Sequence, residues 1–221
     1  MRLYRDRTEA GRTLAVALAG YRDKPEVLVL ALPRGGVEVA CEVARELRAE
    51  LDIMIVRKLG FPGQEELAMG AIATGGVRIM NPEVAGEIPE QIIERVAERE
   101  SEELRRREMS YRGDRPAPRL GGRRVILVDD GLATGATMRA SIAAVRRQDP
   151  EEVVVAVPVA PRTTVDRLRE EADEVICPAT PSLFYAIGEW YEDFSQTSDQ
   201  EVRALLRRAW DEHDDAAQPR Q

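Results

Sequence analysis

Val125-Ile126-Leu127-Val128-Asp129-Asp130-Gly131-Leu132-Ala133-Thr134-Gly135-Ala136-Thr137 is the stretch on which the fold turns. Its first four residues form an unbroken apolar run, the pattern of a strand covered on both faces. Two acids and a turn of small residues follow, and the pattern then becomes helical to about Arg147. Such a turn gathers backbone N–H groups at a helix mouth, where an anion is stabilised. Gly135 allows close approach, and Thr134 and Thr137 bring hydroxyl donors. There is no Walker lysine, so this is not the common ATP loop.

The two carboxylates stand directly before this anion nest, where they would repel a phosphate unless they faced something else. A ribose resolves the conflict, because its hydroxyls donate to Asp129 and Asp130 while its phosphate reaches the Thr-Gly turn. A Gly/Thr turn alone would be an ordinary helix start with two solvated acids. The whole thirteen-residue pattern points to the ribose phosphate.

Outward from this segment, strands and helices alternate. Val27–Leu32 is a second unbroken apolar run, ended by Pro33-Arg34-Gly35-Gly36 and followed by an amphipathic helix over 37–49. Short strands are expected at 53–56, 153–158 and 175–177, with a helix near 165–171. Residues 57–66, with Gly60, Pro62 and Gly63, read as a loop. Residues 67–73 and 77–80 read as a hairpin around Thr74-Gly75-Gly76. Pro89–Tyr111 reads as a long charged helix with proline in its first turn. Capping-box spacings at Asp6/Glu9 and Ser198/Glu201 predict helices to about Gly20 and Trp210. The expected architecture is therefore α/β, a mostly parallel central sheet flanked by helices on both faces. Its divisions are an N-terminal helix (1–24), a core (25–180), a C-terminal segment with a helix (181–212) and a polar tail (213–221). Ligands of such sheets gather at the carboxyl ends of the strands, where both Gly-containing loops fall.

The bulk composition narrows the function classes. The chain has 221 residues and a formal net charge of −8, which argues against a general nucleic-acid binder. Eight arginines between 105 and 124 read as solvated charge at a helix end and loop. No apolar run approaches a membrane span and no secretory core opens the chain, so a cytoplasmic protein is expected. Cys41 and Cys177 lie far apart without metal-ligand spacing. His213, the one histidine, lies in the acidic tail, which weighs against histidine catalysis. Only Lys24 and Lys58 are lysines among 32 basic residues, which draws attention to Lys58.

The 125–137 segment resembles the PRPP-binding motif of the type I phosphoribosyltransferases, where PRPP is 5-phosphoribosyl-1-pyrophosphate. The pattern is strand, two acids, mixed residues, then Thr-Gly-x-Thr, and it is most similar to that of the adenine enzymes. The resemblance implies that Asp129 and Asp130 hold the ribose and that Ala133, Thr134, Gly135, Ala136 and Thr137 hold the 5′-phosphate. It implies a pyrophosphate loop at Arg34, Gly35 and Gly36, whose glycines would permit a strained, anion-facing backbone. Val56-Arg57-Lys58-Leu59-Gly60 resembles the start of the family's flexible catalytic loop, making Arg57 and Lys58 catalytic candidates; the family's second basic residue is missing there, and Phe61-Pro62-Gly63 follow. Ala133 stands where 6-oxopurine enzymes usually carry an acid, which weighs against hypoxanthine or guanine.

By the same resemblance, the activity is transfer of phosphoribose from PRPP to a nitrogenous base. Mg²⁺ would be held mainly by PRPP oxygens, with no protein metal ligand assigned, and a homodimer is compatible. A small hood would cover the base, and Phe184, Tyr185 and Trp190 are its candidates, within five aromatics between 184 and 194. The same cluster could instead pin the C-terminal helix to the domain. Two other activities stay open: a PRPP- or nucleotide-sensing regulator, and a ribose-phosphate hydrolase.

Overall fold

The computed structural model describes residues 2–86 and 88–217, leaving aside the side chains of 64–67, 83, 216 and 217. Five strands form one parallel sheet: β1 (Val27–Ala31), β2 (Glu50–Ile53), β6 (Arg124–Val128), β7 (Glu152–Ala156) and β8 (Glu174–Ile176), in the order β2-β1-β6-β7-β8. A second, antiparallel sheet contains β3 (Val56–Phe61), β4 (Gln64–Ala73) and β5 (Val77–Met80). The helices are α1 (Arg7–Ala17), α2 (Gly35–Leu47), α3 (Pro82–Ala85), α4 (Glu90–Arg112), α5 (Ala136–Arg146), α6 (Arg162–Leu168) and α7 (Asp199–Ala217).

The two apolar runs are continuous because each strand faces two cores. Val27, Val29, Ala31, Ile126 and Val128 pack into one cluster with residues of α1, α2, α4 and α7. Leu28, Leu30, Val125 and Leu127 point the other way, toward α5 and α6. Side chains alternate across a strand, so both parities must be apolar when both faces are covered.

The chain runs from β1 outward to β2, then returns to place β6 on β1's other side. The loops after β1 and β6 therefore leave in opposite directions, and a crevice opens between them at the switch point.

Several expectations shift. Residues 57–61 are not loop but strand: β3 pairs antiparallel with β4, with register shifts around Gly60. Gly60, Pro62 and Gly63 read as breakers; in fact Gly60 lies at the irregularity, and Gly63, at φ 82°, lies in the turn. The expected hairpin over β4 and β5 is present, and its turn carries Gly75 and Gly76 at φ 82° and 73°. The expected strand at 53–56 is β2, displaced to 50–53. Pro89 is the N-cap of α4 rather than a first-turn residue. At α1, Asp6 accepts from the Glu9 N–H at 2.8 Å as its spacing predicts. At α7, the Glu201 carboxylate accepts from the N–H of Ser198 at 2.7 Å.

Helix α7 runs past Trp210 to Ala217, so residues 213–217 of the expected tail are helical, while 218–221 lie outside the described residues. The Trp210 indole N–H donates to the Leu51 carbonyl at 2.8 Å, fastening the helix to the sheet edge. Nearby, Arg112 at the end of α4 meets Asp52 at 2.7 Å, with side chains 4% and 1% exposed. Arg112 also donates to the Ile53 carbonyl at 2.7 Å. Burial pushes the Asp52 carboxyl up, and Arg112 opposes that shift. Among the described residues no helix is long and apolar enough to cross a membrane.

Candidate functional site

The two loops singled out in the sequence meet at the switch point. In the loop after β6, Gly135 adopts φ 73° and caps α5. The first turn of any helix leaves N–H groups without intrahelical acceptors, and here Ala133, Thr134, Ala136 and Thr137 around that turn are exposed. The loop is braced from behind: Thr164 of α6 donates to the Ala133 carbonyl at 2.7 Å, and the Leu132 N–H donates to the Val159 carbonyl at 3.0 Å. A Cβ on Gly135 would stand 2.9 Å from the Thr164 methyl, so glycine is needed for its angle and for room. The result is an exposed turn of amides and hydroxyls on a fixed base, within which the Ala136 N–H donates to the Thr134 hydroxyl oxygen at 3.4 Å.

The acid pair is not symmetric. Asp129 is half-buried, and one of its oxygens accepts the Asp130 N–H at 2.8 Å. Asp130 is buried and meets Nε of Arg7, from the start of α1, at 2.8 Å. Burial first, and then the neighbouring Asp130 charge, push the Asp129 carboxyl well above the ordinary range. Burial also raises Asp130, against the pull of Arg7.

Gly35 and Gly36, expected to permit a strained backbone, are not in the left-handed region. Neither has a positive φ; they open α2. What they supply is space. A Cβ on Gly35 would lie 2.0 Å from an Asp130 carboxylate oxygen, and one on Gly36 would lie 3.0 Å from the Asp129 Cα. The peptide between Pro33 and Arg34 is cis.

Beside this loop lies a cavity of about 300 Å³. Its walls include Arg34, Thr137, Arg106, Arg107, Tyr111 and Asp199. The Tyr111 hydroxyl donates to Asp199 at 2.7 Å, and the Arg34 guanidinium stands 3.7 Å from the same carboxylate. Arg106 and Arg107 both reach Glu103, at 2.7 and 2.8 Å. Thus part of the arginine-rich stretch, expected to be plain solvated charge, faces the crevice. One-dimensional reading missed it because only the docking of α4 shows which turn of that helix faces inward.

Arg57 and Lys58 are adjacent on β3, so they project to opposite faces. Arg57 donates to Glu100 of α4 at 2.6 Å, on the side where Leu59 packs with Ile93 and Ala97. Lys58 is exposed, on the side where Val56 packs with the core that includes Met138 of α5. The structure thus separates the two candidates.

In the 184–195 segment, Phe184 and Trp190 stack with centroids 6.0 Å apart, and Tyr185 is exposed. The cluster fastens the N-terminal segment, not the C-terminal helix: Tyr4 packs on Tyr191 at 5.5 Å, and the Leu3 and Tyr4 N–H groups donate to the Trp190 carbonyl. Ile187 lies against Gly131, where a Cβ would come within 2.7 Å of its methyl. This brings the segment over the acid-pair loop.

Fold and site together define a parallel α/β protein with an exposed amide turn, an acid pair and a basic cavity at its switch point. The family model described as phosphoribosyl transferase domain matches residues 7–194, and the chain belongs to that family. Two curated Mycobacterium tuberculosis proteins (strains CDC 1551 / Oshkosh and ATCC 25618 / H37Rv), provisionally named phosphoribosyl transferases, are each 48% identical over 211 residues. Those alignments cover 95% of this chain and 47% of theirs, so the chain spans about half the length of these relatives. A crystal structure of the protein TT1426 from Thermus thermophilus is 46% identical, with a TM-score of 0.84, covering 94% of this chain and 99% of that one.

Proposed function

We propose that this protein transfers the 5-phosphoribosyl group of PRPP to a nitrogenous base and releases pyrophosphate. The observation that carries the reading is the exposed turn at the mouth of α5, with the half-buried Asp129 on one side and the arginine-lined cavity on the other. These three parts correspond in order to a 5′-phosphate, a ribose and a pyrophosphate.

In such a reaction the C1–O bond to pyrophosphate breaks as a base nitrogen attacks C1. Positive charge develops on the sugar and negative charge on the leaving group. Positioning and preorganised charge do the catalytic work. The amides of 134–137 hold the phosphate, and the Asp129 carboxylate accepts from the ribose hydroxyls. Arg34, Arg106 and Arg107 meet the pyrophosphate; Gly35 and Gly36 leave room for the acids beside it. On this reading Lys58 is the cation that closes over the leaving group, while Arg57 holds β3 to α4 through Glu100. Phe184, Tyr185 and Trp190, with Ile187, border the acceptor side.

Mg²⁺, when bound with PRPP, would offset charge on the leaving pyrophosphate. Among the described residues no three His, Cys, Asp or Glu side chains gather into a metal site. Because Asp130 is engaged by Arg7, the fitting arrangement is a cation held by PRPP oxygens, with Asp129 as the protein carboxylate nearest to hand.

The test is incubation with PRPP, Mg²⁺ and a panel of nucleobases, with nucleotide and pyrophosphate both quantified. Nucleotide formed with one base supports transfer. Pyrophosphate released without a base consumed indicates hydrolysis, and tight PRPP binding without turnover indicates a sensor; either would overturn the transferase reading.

A further inference from the structure

We infer that Asp199, the first residue of α7, is an exchangeable counter-ion for Arg34: it pairs with that guanidinium at the cavity wall and gives it up to an arriving pyrophosphate. This rests on the pyrophosphate reading of the cavity above.

Three elements build the contact. Asp199 follows Ser198, whose N–H and hydroxyl both donate to Glu201 at 2.7 Å. This cap, with Val202 and Leu206 buried behind it, fixes the start of α7. Arg203, one turn on, donates to the Ser110 hydroxyl of α4 at 3.2 Å. The Asp199 carboxylate is thereby set in the cavity wall, and its Oδ1 accepts from the Tyr111 hydroxyl at 2.7 Å. Nη1 of Arg34 faces the same oxygen from 3.7 Å. Burial first, and then Asp199, push the Tyr111 hydroxyl up to about 12, so it stays a donor at neutral pH. Asp199 lies beyond residues 7–194 that the family model matches, so the counter-ion comes from a part of the chain outside that match.

The two partners of Asp199 differ in strength. The tyrosine bond is short, whereas 3.7 Å is beyond hydrogen-bond reach. The Arg34 and Asp199 side chains are also 36% and 55% exposed, and ion pairs so solvated contribute little. A pyrophosphate offers Arg34 several charged oxygens that match its planar fork, so the guanidinium trades one weak partner for stronger ones. Tyr111 keeps hold of the carboxylate, and Arg34 is the group that moves. Arg106 and Arg107 differ, because both reach Glu103 within hydrogen-bond distance, at 2.7 and 2.8 Å. The exchange therefore belongs to Arg34. Its consequence is that Asp199 competes with the leaving group and favours its release.

The test titrates inorganic pyrophosphate, with Mg²⁺ present, into the full chain by calorimetry, beside thermal melts. Asp199→Asn removes the charge and leaves an amide oxygen for Tyr111. It is expected to tighten pyrophosphate binding by about three- to fivefold, the scale of an exposed ion pair that no longer has to be given up. A purely structural role for Asp199 would weaken binding or leave it unchanged. Arg34→Met should weaken binding, and in that background the gain from Asp199→Asn should fall below about twofold, since the two residues act through one contact. Asp199→Asn binding pyrophosphate no more tightly than the unaltered protein would overturn the inference, as would an equal gain in the Arg34→Met background. Should Asp199→Asn not fold, Asp199→Ser, which also lacks the charge, is judged by the same outcomes. An unaltered protein that does not bind pyrophosphate, or an Arg34→Met variant that binds it equally well, overturns the pyrophosphate reading and this inference with it. A failure confined to the Asp199 variants leaves that reading standing.

Discussion

Asp129 and Asp130 are neighbours with different surroundings, and the difference sets a pH dependence. Asp129 titrates well above the ordinary carboxylate range because burial, and then the Asp130 charge, disfavour its ionised form. If the ionised form accepts from the ribose, affinity for PRPP is full above that raised pKa and falls as acid protonates the group. The acid limb of PRPP affinity is therefore expected at a higher pH than for an ordinary aspartate. Calorimetry across pH checks this, and Asp129→Asn should remove the limb. That these two residues stand at the switch-point crevice was legible in the sequence, since a buried strand leads straight into them and a small-residue turn follows. That one of them is spoken for was not, because its partner lies 123 positions away and only folding brings it close.

The elements around the site are held by ion pairs whose worth depends on burial. Arg112 and Asp52 join the end of α4 to β2, with both side chains almost wholly buried. Breaking such a pair strands a charge, so Arg112→Met should cost about 3–5 kcal/mol of stability. Urea unfolding measures it, and adding Asp52→Asn should recover part of the loss. On β3 the two basic neighbours should separate by phenotype. Lys58→Ala is expected to slow turnover more than it weakens PRPP binding. Arg57→Ala, which frees Glu100, should lower the thermal midpoint more than Lys58→Ala does. Steady-state kinetics beside thermal melts distinguishes the two. Strands buried on both faces were easy to read from their apolar runs. β3 was not, because Gly60, Pro62 and Gly63 carry the marks of a loop while serving a bulge and a turn. Similarly, composition marked 105–124 as basic, but the facing of Arg106 and Arg107 toward the cavity follows from how α4 lies across the antiparallel sheet.

Across the whole molecule, the parallel sheet places both candidate ligand loops at one crevice, and the outer segments complete the surroundings. Residues 3–7 bond to residues 190–195, joining parts of the chain as much as 188 positions apart. Closing so long a circuit adds little entropy beyond a shorter one, since the cost grows only with the logarithm of length. Contacts of great sequence separation nevertheless tend to form slowly. Ligand competence should accordingly lag behind compaction during refolding: far-ultraviolet dichroism recovers first, and a PRPP-dependent fluorescence change follows. A chain still emerging from the ribosome, with its first residues made and its 195th not yet released, would have the turn but not the clasp. On the function proposed above, its affinity for a phosphorylated sugar would wait until residues 190–195 came round to meet residues 3–7.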